Sequence, residues 1–439
     1  MSRIGSLMAV IIAASLVLAS CGDSSAEYLQ QGDTYYDRGQ FVEAIAEYTK
    51  AIESNPSLVA AYTHRGAVYN ARAEWDLAIA DLTKAIQLDP NRPDNYQNRA
   101  FAYLAKEKYE LAIADLDKTV TLDPKAVMAF TNLSWLYVQN RQWDKAIESA
   151  TKAIELNPRL YDAYYNRGVA YYARGDMKNA LADMDAALAL NPNLAPAYNY
   201  LGKVNVIDSN FTQAIADFNK TIDLDPDMAE AYKMRGLVHI VLKDPQHAMA
   251  DLNKSVELDD SDPMAYLYRG HLNNANEDYD RAIDDLDRAL VLASTANAQI
   301  VSKDPFHVDI SSMYLERAIS KRSKQLLNEA VEDARKAVEL DPGSALKYGT
   351  LGEILITNAD IENGLAAINK AIGIDPTIAE NYINRAAAYD ILAQQTKDQR
   401  YYALLAADLE KVIELSKDPL QVEDARASLR YMQSKGYIQ

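Results

Sequence analysis

The chain has a single cysteine, Cys21, in 439 residues. That excludes an internal disulfide and any cysteine-based metal site. Histidine is also scarce. His64, His239, His247, His271 and His307 are the full set, and none is paired at the i,i+4 spacing that lets two imidazoles share a metal on one helix face. No apolar run reaches the ~20 residues of a membrane-spanning helix. Positive charge is in deficit, with 45 Lys and Arg against 63 Asp and Glu and a formal net charge of −18. That balance argues against nucleic acid or an anionic lipid surface as a charge-driven partner. A phosphate-cradling glycine loop and a nucleophile elbow are missing too, so neither a cofactor nor an enzymatic activity is expected. Asp259, Asp260 and Asp262 cluster, but without the alternating ligands and glycine of a calcium loop.

What is present is a period. Pro56, Pro90, Pro124, Pro158, Pro192 and Pro226 stand 34 residues apart. Tyr28, Tyr62, Tyr96, Tyr164, Tyr198, Tyr232 and Tyr266 keep the same ruler, with Phe130 in the gap. Such a period signals a repeat array, and 49% apolar residues suffice for a continuous core. With Ser25 as position 1, each repeat carries an aromatic at 4, Gly or Ala at 8 and frequent Tyr at 11. An apolar residue follows at 17, Ala at 20, a bulky apolar residue at 24, a small one at 27 and Pro at 32. The first repeat reads Tyr28, Gly32, Tyr35, Phe41, Ala44, Tyr48, Ala51, Pro56. Spacings of three, four and seven place apolar stripes on two helices, at positions 2–14 and 16–29. Small residues at 8 and 20 allow those helices to approach closely, and the proline ends the second helix.

This pattern resembles the tetratricopeptide repeat over roughly 390 of the 439 residues. The resemblance implies an all-α, right-handed superhelical solenoid of helix-turn-helix units. Eight repeats run in register over 25–296, an insertion occupies 297–310, and repeats nine to eleven fill 311–419 with a second insertion near 394–401. Residues 420–439 form a capping helix, with Leu420, Ala425, Leu429 and Met432 inward. Repeats six to eight depart most, having Asn205, His239 and Asn273 where tyrosine is usual at position 11.

The amino terminus carries a second resemblance. Arg3 precedes an apolar run from Ile4 to Leu18, in the order of a secretory signal. Leu18-Ala19-Ser20-Cys21 then resembles the bacterial lipobox. It implies a signal peptide over 1–20, a diacylglycerol on Cys21, a short linker over 21–25, and a place on the extracytoplasmic face of the bacterial membrane.

An acid at position 23 recurs with a base at 26, as in Asp81 with Lys84 and Asp115 with Lys118. This spacing reads as an exposed, solvated outer face. The inner groove is the candidate site, since the family's first helices line its concave side. Position 6 supplies Asn98, Asn132 and Asn166 and later Asn384; position 9 supplies Phe101 and Trp135, with Tyr165 and Tyr172 nearby. An amide donates and accepts, so it can pair with a peptide backbone without reading side chains. The carboxylate-gripping groove known in the family is not reproduced, because Leu237 follows Lys233 at the position needing asparagine. The expected activity is that of a membrane-anchored scaffold binding extended protein or peptide segments. A glycan- or cell-wall-binding module and a self-associating array are the alternatives.

Overall fold

In a computed structural model, residues 24–295 and 309–438 are described, and all their regular elements are helices. Cys21, the segment 1–20 and most of the first insertion lie outside the described residues. The chain divides into two compact units, one ending at Ala197 and one beginning at Tyr198. The N-terminal unit holds α1 (Ser24–Asp37), α2 (Phe41–Ser54), α3 (Val59–Ala71), α4 (Trp75–Leu88), α5 (Pro93–Ala105), α6 (Tyr109–Leu122), α7 (Val127–Gln139), α8 (Trp143–Leu156), α9 (Tyr161–Ala173) and α10 (Met177–Leu190). The division falls within α11 (Ala195–Ile207). The C-terminal unit continues with α12 (Phe211–Leu224), α13 (Ala229–Val241), α14 (Pro245–Leu258), α15 (Pro263–Ala275), α16 (Tyr279–Thr295), α17 (Ile310–Ser323) and α18 (Leu327–Leu340). It ends with α19 (Ala345–Thr357), α20 (Ile361–Ile374), α21 (Ala379–Thr396), α22 (Gln399–Leu415) and α23 (Pro419–Ser434).

Each repeat is one helix pair, and within each unit successive pairs pack together, as α8 with α9 and α12 with α13. The first helices also touch one another, as α3 touches α5 and α7 touches α9 in the N-terminal unit, and α15 touches α17 in the C-terminal one. The second helices meet chiefly first helices. Closer spacing of the first helices puts them on the inner side of each stack. No described helix is long and apolar enough to cross a membrane.

The repeat's signature residues each have a local cause. Asx at position 31 turns its side chain back onto the chain: Asn55 accepts from the Ser57 N–H at 3.0 Å, Asp89 from Asn91 at 3.1 Å and Asp123 from Lys125 at 2.9 Å. With proline next, the helix stops there and the chain enters a tight turn. The position-4 tyrosine reads that turn from the following helix, since Tyr96 Oη donates to the Pro90 carbonyl and Tyr382 Oη to that of Pro376, both at 3.1 Å. Position 8 is small because position 24 crosses it. A Cβ on Gly202 would sit 2.5 Å from Phe218, which is fully buried. Between the helices of a pair, position 15 is left-handed, and only Gly39 and Gly175 supply glycine there; Ala73 (φ 60) and Ala359 (φ 62) hold it against steric cost.

Two segments refine the sequence reading. The second insertion lengthens α21 to 18 residues and α22 to 17, where α3 and α4 have 13 and 14. In the capping helix α23, Ala425 and Met432 are buried, but Leu420 is 66% exposed. It stands in the first turn of α23, just past the Pro419 that starts the helix, and points away from the stack.

Replacing Gly202 with Ala should lower stability by about 1–3 kcal/mol, because Phe218 has nowhere to move. Replacing Ala73 with Gly should leave stability unchanged or raise it by up to ~1 kcal/mol, because it relieves a left-handed residue. Urea unfolding of the two variants beside the parent protein measures both.

Candidate functional site

The proposed groove residues sit on α5, α7 and α9, the inner helices of the N-terminal unit, and their fates differ. Asn98 and Asn132 are half-buried. Asn166, at the same repeat position, is buried at 4% exposure and donates to Ser134 Oγ at 2.9 Å. The cause is local: Ser134 occupies position 8, where other repeats have Gly or Ala, and its hydroxyl captures the amide arriving from the next repeat. Tyr172 is buried at 5% exposure, whereas Tyr165 is half-buried. Phe101 and Trp135 are partly committed to the stack. Phe101 meets Trp75 edge-on at 5.8 Å, and Trp135 meets Tyr109 edge-on at 6.0 Å. In both cases the position-17 aromatic of one repeat packs on the position-9 aromatic of the next. The surface these residues leave is a row of Asn98, Asn132 and Tyr165, flanked by Phe101 and Trp135.

The acid stripe at position 23 is not a solvated face. Asp81, Asp115, Asp183, Asp251, Asp285, Asp333 and Asp408 are all buried. Each receives a bidentate pair of hydrogen bonds from an arginine at position 7. Arg65 holds Asp81 at 2.7 and 2.9 Å, and Arg99 holds Asp115 at 2.7 and 2.8 Å. Arg167, Arg235, Arg269, Arg317 and Arg385 repeat the arrangement. The remaining guanidinium nitrogen reaches back to position 25 of the preceding repeat. Arg65 donates to Thr49 at 2.8 Å, Arg99 to Thr83 at 2.9 Å and Arg235 to Asn219 at 2.5 Å. One side chain therefore ties three helices. The position-11 departures also reach position 23: Asn273 donates to Asp285 at 3.0 Å, Lys321 lies 2.9 Å from Asp333, and in repeat six, where Leu201 stands at position 7, Asn205 donates to Asp217 at 2.8 Å.

Repeat four has neither member of the pair. Leu133 stands at position 7 and Ser149 at position 23, and a cavity of about 630 Å³ opens beside them. Asp117, which stands where an arginine at 133 would reach back, accepts instead from Tyr137 Oη at 3.1 Å. Burial and the Asp117 carboxylate push the Tyr137 phenol well up. The cavity lies along Phe130, Leu133 and Tyr137 of α7, a different stripe from Asn132 and Trp135.

The inner helices of the C-terminal unit carry charge instead of amides and aromatics. Lys203 on α11 is buried and donates to Glu230 at 3.1 Å, with Asn199 on the other carboxylate oxygen at 2.9 Å. Lys233 donates to Asp262 at 2.6 Å. Burial alone would raise the Glu230 carboxyl, but Lys203 and Lys233 outweigh it and hold the group low. Farther along, His271 lies 2.9 Å from Glu316, whose other oxygen accepts from Asn274 at 2.9 Å. The hydrogen bond to Glu316 raises the His271 imidazole above its ordinary value. Burial works against the Glu316 carboxylate, yet His271 and Asn274 hold it down.

Three family profiles match the chain. Two described as tetratricopeptide repeat cover residues 131–195 and 208–263, and 93–125 and 348–378. A third, described as TPR repeat, covers 32–72. A search of curated proteins found no significant match. Among solved structures, the Cut9–Hcn1 hetero-tetramer of the APC/C superimposes with a TM-score of 0.51 at 13% identity, over 91% of this chain and 95% of that one, which is a likeness of fold. A tetratricopeptide repeat protein from Parabacteroides merdae matches at 20% identity and TM-score 0.42, over 54% and 94%. YrrB, a TPR protein described as having an unusual peptide-binding site, matches at 26% identity and TM-score 0.39, over 42% and 95%.

Two measurements follow from this geometry. Asp115→Ser alone strands the Arg99 guanidinium and should cost about 3 kcal/mol or more. The double variant Arg99→Leu/Asp115→Ser copies repeat four and should cost clearly less than the sum of the two single changes, which a double-mutant cycle reads directly. The second concerns pH. A raised histidine contributes stability below its unfolded value of 6.5 and loses it as pH rises through the folded value. The depressed Glu316 contributes above 4.5 and is lost as pH falls. The destabilisation caused by His271→Gln should therefore be larger at pH 6 than at pH 9 in urea titrations.

Proposed function

Because the chain belongs to the tetratricopeptide-repeat family, we propose that it is a protein-interaction scaffold that holds extended segments of partner proteins along the inner helices of its N-terminal unit. The observation that carries this reading is the row of half-buried Asn98, Asn132 and Tyr165 beside Phe101 and Trp135. The amides supply main-chain pairing, and the ring edges supply apolar contact for alternate side chains of an extended strand. Supporting it, Asn166 and Tyr172 are committed to packing, so the row rides on a stiffened base. The scaffold is anchored by lipid on Cys21 at the extracytoplasmic face of the bacterial membrane, a reading supported by Leu18-Ala19-Ser20-Cys21. Each methylene of the acyl chains adds ~0.8 kcal/mol of membrane affinity, so two or three chains hold the protein stably.

A photo-crosslinking amino acid placed at Asn132, in cells that make the protein, should yield a discrete adduct with another protein, and Asn98→Ala should reduce its yield several-fold. Adducts only with a second copy of the chain, or none, would overturn the groove assignment. Cys21→Ala should shift the protein from the membrane fraction to the soluble one; retention in the membrane would remove the lipid anchor from the reading.

A further inference from the structure

Repeat seven differs from every other repeat at two positions together. Position 11 is Tyr in six repeats but His239 here, and position 19 is His247, where the neighbours have Gln213 and Arg281. The two histidines are eight residues apart, too far for one helix face, but the turn between α13 and α14 folds them together. Lys243 takes the left-handed conformation at that turn (φ 59) and Pro245 starts the next helix. The imidazole rings stack with centroids 5.2 Å apart at 27°. Asp244 closes the group. Its Oδ2 lies 2.7 Å from His247 Nδ1 and 3.8 Å from His239 Nδ1, and one donor atom from each residue lies within 4.8 Å of the others.

We propose that His239, Asp244 and His247 form a binding site for a divalent transition-metal ion, with zinc, cobalt, nickel or copper as the class. Two imidazoles and one carboxylate select these borderline ions over magnesium or calcium, which favour all-oxygen sets. A tetrahedral ion with bonds of about 2.0–2.1 Å holds its donors roughly 3.4 Å apart. Reaching that geometry draws in donors that now lie within 4.8 Å of one another and parts the His247–Asp244 hydrogen bond. His247 is 69% exposed, so its ring can turn out of the stack with His239. His239 is 14% exposed, and its far nitrogen, Nε2, lies 3.9 Å from Asp251 Oδ2. That places a carboxylate behind a metal-binding imidazole, the arrangement that orients such ligands in known sites. Asp251 is itself fixed by both arms of Arg235, at 2.7 and 2.8 Å. Three protein donors leave coordination positions for water or a partner's side chain. The site joins the end of α13 to the start of α14, so a bound ion clips the two helices of one repeat.

The test uses the full-length chain carrying Cys21→Ser, so that no thiol competes. Cobalt(II) titration followed by visible absorbance should show one equivalent bound, displaced by zinc. Variants taken from neighbouring repeats keep the fold: His239→Asn copies Asn205 and Asn273, and His247→Gln copies Gln213. Each should weaken binding at least tenfold, with unchanged circular dichroism, while His271→Gln should leave it intact. Absence of a saturable equivalent in the parent chain, or binding by the His239→Asn/His247→Gln double variant as tight as the parent's, would overturn the proposal.

Discussion

The bidentate contact between the position-7 arginine and the position-23 aspartate is what the array depends on. Helices packed through alanine and glycine approach closely but slide easily, because small side chains offer little to lock a register. A planar guanidinium gripping a carboxylate with two hydrogen bonds has one geometry. Its third nitrogen extends that constraint to the preceding repeat, as Arg99 does through Thr83. Burying such a pair contributes little net stability against an apolar substitute, so its value is in specifying alignment. The position-4 tyrosine ring stacks against the same group, with Arg99 5.9 Å from the Tyr96 ring and Arg269 5.3 Å from that of Tyr266.

The legible parts of this fold were those whose causes are local. The Asx-Pro turn, the small residue at position 8 and the alanine at 20 act within a few residues or across one helix contact, and their period shows in the chain. The arginine ladder was hidden because its partners are 16 residues apart, and 23 for Arg385 and Asp408, on different helices. A lysine or arginine three residues after most of these acids offered a simpler local explanation, and it misled. The groove shows the same limit on a smaller scale. Asn98 and Asn166 share a position and differ only because Ser134 lies across from one of them. The second insertion reads as a break in period, and nothing in its spacing told that it would add turns to α21 and α22 and not a loop.

The two compact units divide chemical labour along the same inner helices. In the N-terminal unit these present amides and aromatic edges, suited to main-chain pairing. In the C-terminal unit Lys203, Glu230, Lys233, His271 and Glu316 form internally neutralised clusters. Each cluster is near charge balance within itself, so the formal net charge of −18 comes from residues elsewhere in the chain.

The absence of the arginine in repeat four has a mechanical meaning. Where the guanidinium ties neighbouring repeats, the array resists shear; at Leu133 that tie is replaced by a single phenol hydrogen bond from Tyr137 to Asp117 and an open cavity. Compliance is therefore concentrated at one joint of the N-terminal unit, and it is the joint that carries Asn132 and Trp135. Shear at that joint would move Asn132 and Trp135 relative to Asn98, while the repeats on either side keep their guanidinium ties.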